Sequence, residues 1–252
     1  MNMKPLLLAL LLTGSTGSTQ AQNEMSVPQT TKQQVTCSLK ADLVSSYAWR
    51  GLDLGHVAVQ PELAVGWRGL SLTAWGSVPL SSHNDQREID LTLSYETGGL
   101  SFGIVDYWDD GNDKRYFYYK KDDTGHCFEA FVGYDFGPLS ASWQTFFAGN
   151  DYQAASGKRS YSSYLELQVP FRLATCQWEA VAGLVPWRSD YYKTNGFSVT
   201  CLSLRAAKDI QITRSFSLPL FAQLMANPAS QHLYFVAGIS LEISTGGLRP
   251  NE

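Results

Sequence analysis

Apolar and polar side chains alternate along most of this chain. In the first such segment, which runs from Leu39 to Arg50, Leu39 and Ala41 are separated by the polar residues Lys40 and Asp42. A period of two, kept over about ten residues, predicts a β-strand with one apolar and one polar face. The same pattern returns in segment after segment, so the chain is predicted to be all-β.

Twelve alternating segments can be counted between residues 37 and 244, and the connections between them alternate in length. Short turns that contain Gly or Pro, such as 68–69 and 97–99, alternate with long polar stretches, such as 109–125 and 188–196. Short turns at one end and longer loops at the other are typical of an up-and-down transmembrane β-barrel. The fold predicted for residues 37–244 is therefore a single barrel of about 12 antiparallel strands.

A soluble β-sandwich is the main alternative, because its strands also alternate. The regular change of loop length argues against it, and so do strands long enough to cross a bilayer at a tilt. Aromatic residues also collect near predicted strand ends, as expected for the two interfacial girdles of a membrane barrel. These aromatics are Tyr47, Trp49, Trp67, Phe136, Tyr161, Phe171, Trp187 and Phe216.

The two ends of the chain differ from this pattern. Residues 1–21 contain a lysine, a short leucine-rich run and a small-residue exit, which together predict a secretory signal peptide cleaved after Ala21. Residues 22–36 are polar and are predicted to form a flexible N-terminal tail, and residues 245–252 a short polar C-terminal tail. Export and a barrel together predict the outer membrane of a Gram-negative cell.

Composition supports a membrane barrel and argues against other classes. The chain is 44% hydrophobic and 13% aromatic, with only 17% charged residues and a net charge of −4. No basic face is available for nucleic acid. The four cysteines are widely spaced and form no CxxC pair, so each is interpreted as a small strand residue, with one adventitious disulfide left open.

Three short stretches resemble a known family. They read VSSYAWRG at residues 44–51, QPEL at 60–63 and GLSLTAWGS at 69–77. They are similar to the opening strands of the TorF-type family of Gram-negative outer-membrane porins. The resemblance covers roughly the first three strands, and beyond them it is architectural. It implies a barrel porin and does not identify a solute.

The polar face of each strand is predicted to line the lumen. The charged residues assigned to that lining are Asp42, Arg50, Glu62, Arg68, Glu88 and Asp90. Carboxylates outnumber cations on the whole inward face, which favours cations and neutral polar solutes. The alternative is that these charges pair across strands and fill a narrow barrel.

Other chemistry is weakly represented in the sequence. The run Asp109–Asp113 could be a calcium loop, but it lacks the spacing and the closing glutamate of one, so a solvated turn is favoured. A lipid-modifying enzyme would need a histidine and a serine that meet at the outer rim. No catalytic residue, metal site or cofactor is assigned.

The predicted function is that of a porin, which lets small hydrophilic solutes diffuse through a mildly acidic lumen. Its predicted partners are these solutes and the lipids of the outer membrane, and its oligomeric state is left open. The alternatives are a closed structural or surface-binding barrel without conductance and, less favoured, the lipid-modifying enzyme.

Overall fold

Twelve antiparallel strands close into one barrel in the computed structural model of this chain. The structure describes residues 35–81, 85–111, 114–120, 123–213 and 216–245. Each barrel strand pairs with its neighbours in sequence, and the first closes the barrel by pairing with the last. The predicted all-β, up-and-down architecture is confirmed. The predicted signal peptide and both predicted tails lie almost wholly outside the described residues.

The barrel strands are joined by short turns at one end and by longer loops at the other, where only the four-residue connection at residues 228–231 is short among the described connections. Their bounds are β1 (Thr36–Val44), β4 (Ala58–Trp67), β5 (Leu70–Pro79), β6 (Glu88–Thr97), β7 (Leu100–Asp109), β8 (His126–Asp135), β9 (Ser140–Gly149), β10 (Ser163–Leu173), β11 (Cys176–Val185), β12 (Ser198–Thr213), β13 (Phe216–Asn227) and β14 (His232–Ser244). A separate two-stranded hairpin, β2 (Tyr47–Trp49) and β3 (Leu52–Gly55), belongs to the first long loop.

Alternation along each strand separates the two faces of the barrel. In β4, Gln60 is buried toward the lumen, whereas Leu63, Val65 and Trp67 are exposed on the outside. The same outward exposure recurs at Leu39, Leu43, Leu72, Ile89, Leu91, Leu93, Phe102, Ile104, Val132, Val169, Leu202, Leu204, Leu220, Leu224 and Leu241. An apolar belt of this extent would be unstable in water and is what a bilayer requires. The chain is a membrane β-barrel.

The short turns and both ends of the barrel lie on one side. Thr36 of β1 pairs with Gly66 near the turn that follows β4, and Ser244 of β14 pairs with Ser38. Aromatic side chains, including Tyr95, Tyr134 and Phe171, mark the outward face near this end. This end is called the inner end, and the end that carries the long loops the outer end. No helix among the described residues is long and apolar enough to span a membrane.

The first predicted strand is wrong in its outer part. The alternation predicts a strand that continues to Arg50, but β1 ends at Val44 and the chain turns into the lumen. Ser45 still accepts a hydrogen bond from the amide of Ala237 through its hydroxyl, and Ser46 donates to the carbonyl of Phe235. These serine contacts satisfy the edge of β14 while the backbone departs from the sheet.

All four cysteines are free thiols in the structure. Cys127 and Cys201 are buried, whereas Cys37 and Cys176 are partly exposed. The disulfide left open by the sequence is therefore not formed.

Candidate functional site in the barrel lumen

The six predicted lumen residues divide into four carboxylates on strands and two arginines in turns. Asp42, Glu62, Glu88 and Asp90 lie on the inward face of β1, β4 and β6. Asp42 forms an ion pair of 2.9 Å with Lys40 on the same strand.

The two predicted arginines lie in turns and not on strands. Arg68 lies in the exposed β4–β5 turn at the inner end, with its guanidinium 5.0 Å above the ring of Trp67. Arg50 forms the tip of the β2–β3 hairpin and is buried in the lumen.

Both arginines belong to the same tetrapeptide, Trp-Arg-Gly-Leu, at residues 49–52 and 67–70. In both copies the Arg and the Gly have positive φ angles, 48° and 81° in the first and 50° and 87° in the second. Positive φ at both central residues defines a tight turn whose twist matches that of paired strands. The first copy closes the hairpin within the barrel, and the second joins two barrel strands.

Arg50 contacts one carboxylate, one tyrosine hydroxyl and two aromatic rings. Its two terminal nitrogens donate to Glu129 of β8 at 2.7 and 2.9 Å, and Nη1 also donates to the hydroxyl of Tyr192 at 2.7 Å. The guanidinium carbon lies 4.2 Å from the ring centre of Trp49 and 4.6 Å from that of Tyr164. Glu129 is only 1% exposed. A bidentate, charge-assisted pair of this kind is among the stronger hydrogen-bonded contacts in proteins.

The hairpin tip also reaches another part of the barrel wall. The amide of Gly51 donates to the sulfur of Met225 at 3.2 Å, and the side-chain amide of Asn227 donates to the carbonyl of Gly51 at 2.8 Å. Met225 and Asn227 lie on β13, five strands from β8 in the barrel order. The β2–β3 hairpin therefore bridges the lumen.

Aromatic packing fills the space around this bridge. Phe146 and Tyr164 are both 0% exposed. The surrounding cluster contains Val105, Tyr107, Cys127, Phe131, Phe146, Tyr164, Val185, Tyr192, Cys201 and Met225, with Trp49, Leu52 and Tyr191 packed against it. The rings of Trp49 and Tyr107 lie 5.6 Å apart, and those of Phe146 and Tyr191 4.7 Å. The outer half of the lumen is a packed core.

The inner half of the lumen is more polar and more open to water. Toward this end, the inward positions Glu62, Glu96 and Gln177 are partly exposed. Gln168 and Glu179 are joined by a hydrogen bond between neighbouring strands, and Arg205 stacks 3.8 Å from the ring centre of Phe221. The lumen thus changes from a polar inner half to a closed outer half.

Sequence reasoning missed Tyr192, Gly51 and Asn227 as parts of this site. Tyr192 and Asn227 lie 142 and 176 residues from their partners in the hairpin. Their contacts depend on how the loops fold. The repeated tetrapeptide is a signal that could have revealed the turn at Arg50 and Gly51.

The histidines do not form a serine-based catalytic triad among the described residues. His126 is buried between the carboxylate of Asp106 (2.7 Å) and the carbonyl of Tyr116, and His83 lies outside the described residues. His232 meets the hydroxyl of Ser230 at 2.9 Å, but the two are neighbours in one exposed turn. In the described chain no carboxylate orients that imidazole, as a triad requires.

A tether at the outer end joins loop 1 (residues 45–57) to loop 2 (residues 80–87). The imidazole Nδ1 of His56 lies 2.9 Å from a carboxylate oxygen of Asp85, whose other oxygen accepts a hydrogen bond from Ser81. The hydrogen bond and charge of Asp85 raise the pKa of His56, and the hydrogen bond from His56 lowers the pKa of Asp85 to about 2.

These pKa shifts predict a pH window for the tether. The stability that His56 contributes to the tether is full below its ordinary pKa of about 6.5 and is lost as the pH rises through its raised pKa. The contribution of Asp85 is full above about pH 4 and is lost as the pH falls toward 2. We expect amide exchange at His56, whose N–H binds Asp85, to be slowest between about pH 4 and 6.5 once corrected for intrinsic exchange. NMR measures this directly. His56→Gln should remove the alkaline limb and the control His232→Gln should keep it; the same profile in both variants would contradict the assignment.

Comparisons with known proteins add little to this picture. No protein-family model and no curated protein matches the chain. Among solved structures, the chain is similar to OmpF of Salmonella typhi in complex with daunomycin, with a TM-score of 0.36 and 9% identity over 83% of this chain and 97% of that chain. It is similar to CdiB from Acinetobacter baumannii, with a TM-score of 0.37 and 12% identity over 84% of this chain and 60% of that chain. A porin refined at 1.8 Å gives a TM-score of 0.32 and 10% identity over 84% of this chain and all of that chain. Scores this low carry no argument about function, and the TorF-type resemblance stays a prediction.

Proposed function

We propose that this chain is an outer-membrane channel for small hydrophilic solutes whose passage is closed at rest by the β2–β3 hairpin. The observation that carries the proposal is the bridge made by Arg50 and Gly51 across a lumen that is polar on its inner side. The hairpin pairs with itself and not with the barrel sheet. It can therefore leave its place without breaking a barrel strand.

The outer membrane fits the form of the barrel. Short turns at the inner end and longer loops at the outer end are the arrangement of outer-membrane barrels. The export signal predicted at residues 1–21 and the TorF-type resemblance of residues 44–77 agree with this location. Both are sequence predictions, and the apolar belt of the barrel supports the membrane part independently.

The charge of the lumen favours cations and neutral solutes. Inward carboxylates of the described strands include Asp42, Glu62, Glu88, Asp90, Glu96, Glu129, Glu166, Glu179 and Glu242. The inward cations are fewer, and two of them, Lys40 and Arg50, are paired with carboxylates. A lumen with an excess of negative charge attracts cations through its field.

Neutral replacement of a lumen carboxylate is expected to lower cation preference. One charge is worth about 1 kcal/mol to an ion ~4 Å away in water and acts with opposite sign on K⁺ and Cl⁻, so Glu62→Gln or Asp90→Asn should reduce the K⁺/Cl⁻ permeability ratio by up to about 30-fold. The zero-current potential of single openings under a salt gradient measures this ratio. Asp123→Asn, which removes a carboxylate from an outer loop, is the control and should leave the ratio unchanged. An unchanged ratio in both lumen variants would remove Glu62 and Asp90 from the conduction path.

A closed structural barrel is the second candidate. The packed aromatic core in the outer half of the lumen favours it, because well-packed cores rarely open. Such a barrel would act through its outer loops and would not conduct. Current recordings on folded protein separate the two candidates.

A further inference from the structure

A groove of about 520 Å³ lies at the outer rim, where the ends of β5, β6 and β7 meet loop 3 (residues 110–125). It is separate from the lumen bridge. Its wall includes Val78, Arg87, Ile89, Trp108, Lys114 and Arg115.

The apolar side of this rim groove faces the bilayer. Val78 is 47% exposed and Ile89 41% exposed, and both continue the outward apolar belt of their strands. Ile89 pairs with Trp108 across β6 and β7, so the indole lies on the same outward side. A molecule in the groove would therefore touch lipid-facing side chains.

The polar side of the rim groove carries three cations. Arg87 pairs with Asp110 through Nε at 2.5 Å, and its side chain is 69% exposed. Lys114 pairs with Asp123 of the same loop, and Arg115 stacks 5.3 Å from the ring centre of Tyr118. Asp110 and Glu88 are the carboxylates of the wall. The carboxyl group of Glu88 is engaged by Tyr47 and Asp90 on the lumen side.

One buried donor in the wall lacks an acceptor. Trp108 is 9% exposed, and its indole N–H forms no hydrogen bond with any described residue. This nitrogen lies beside Gly125 and Lys114, at the base of loop 3. An unsatisfied buried donor is costly, so a hydrogen-bond acceptor supplied at this nitrogen would stabilise the base of the loop.

We propose that the rim groove binds the phosphorylated headgroup of a membrane lipid, with the acyl chains along Val78 and Ile89. Phosphate oxygens only accept hydrogen bonds and carry negative charge, which suits the guanidinium groups, the Lys114 ammonium and the Trp108 indole. A soluble anion would use the cations but not the apolar wall. The continuity of the groove with the lipid-facing belt therefore favours a lipid over free phosphate.

Native mass spectrometry of the refolded full chain, released from neutral detergent, tests this proposal. The probes are phosphatidylglycerol and a diacylglycerol with the same acyl chains. Wild-type protein should retain at least about tenfold more phosphatidylglycerol, because a single charge-assisted hydrogen bond to the phosphate is enough for a change of about this size. Lys114→Gln/Arg115→Gln should lower retention toward that of diacylglycerol, whereas Lys158→Gln/Arg188→Gln, which changes two cations of other loops, should not.

A third variant and a competition with free phosphate complete the test. Trp108→Phe keeps the ring but removes the indole N–H, and it should lower retention by about threefold even if the double variant fails to fold. Equal retention of the two lipids by wild type would overturn the proposal, and so would unchanged retention in folded groove variants. Displacement of the lipid by millimolar inorganic phosphate would identify a soluble-anion site and overturn the assignment to a lipid.

Discussion

Replacing Arg50 by alanine is expected to raise the open probability of the channel by at least about 100-fold. The substitution leaves Glu129 buried without its partner, and the loss of one member of a buried ion pair costs about 3–5 kcal/mol. This cost applies only while the hairpin lies in the lumen, because Glu129 becomes accessible to water when the hairpin is displaced (the unseated state). Each 1.4 kcal/mol changes an equilibrium tenfold, so the balance should shift strongly toward the unseated state.

The chain provides a matched control for this experiment. Arg68→Ala changes the same residue in the second copy of the tetrapeptide, with nearly the same backbone angles but at the exposed inner end. Its open probability should remain that of wild type. Single-channel recording in planar bilayers measures both variants, after a heat-modifiable shift on gels has shown that each is folded. If Arg50→Ala and Arg68→Ala had the same open probability, the claim that Arg50 holds the hairpin in the lumen would be contradicted.

Gly51→Ala is expected to unseat the hairpin by a different route. Gly51 has a φ of +81°, and a Cβ there would lie 1.8 Å from the carbonyl oxygen of Thr200 and 2.8 Å from its carbon. These backbone atoms lie at a β-bulge of β12, where the flanking residues Val199 and Cys201 pair with Leu184 and Gly183 of β11 and so hold the Thr200 carbonyl in place. The hairpin must therefore move away, and we expect long-lived openings like those of Arg50→Ala, although neither Arg50 nor Glu129 is changed.

Gly157→Ala separates this clash from backbone strain. Gly157 has a φ of +64°, but no atom lies within 4 Å of its added Cβ. Alanine in the left-handed region costs roughly 1–2 kcal/mol at either position. Only Gly51→Ala should change the current, with both proteins folded. A similar change in Gly157→Ala would show that general destabilisation, and not the hairpin, opens the barrel.

The barrel itself could be predicted from the sequence because its physical requirements repeat along the chain. Lipid outside and a lumen inside force a period of two on each strand, as Gln60 and Leu63 of β4 illustrate. The short turns at 68–69 and 97–99 carry the glycines that tight hairpins require. Pattern and turn chemistry were thus sufficient for the architecture.

The lumen bridge could not be predicted in the same way. Tyr47 and Trp49 alternate with Ala48 and Arg50, so the period of two continues smoothly out of β1 and into the hairpin. Alternation of polar and apolar residues indicates that a segment is extended, but it does not indicate which strand that segment pairs with. The contacts that decide the fold of this segment, such as Arg50 with Glu129, join residues far apart in sequence.

Removal of the β2–β3 hairpin from the full chain tests most directly whether this hairpin closes a channel. Residues 47–55 would be replaced by a glycine–serine segment of equal length, and currents through the folded variant would be compared with those of wild type under a salt gradient. We expect rare, brief steps from wild type and persistent, larger, cation-preferring steps from the variant. A folded variant that stays silent would contradict the channel and support the closed barrel, and a wild type that conducts continuously at the same level would contradict the closure by the hairpin.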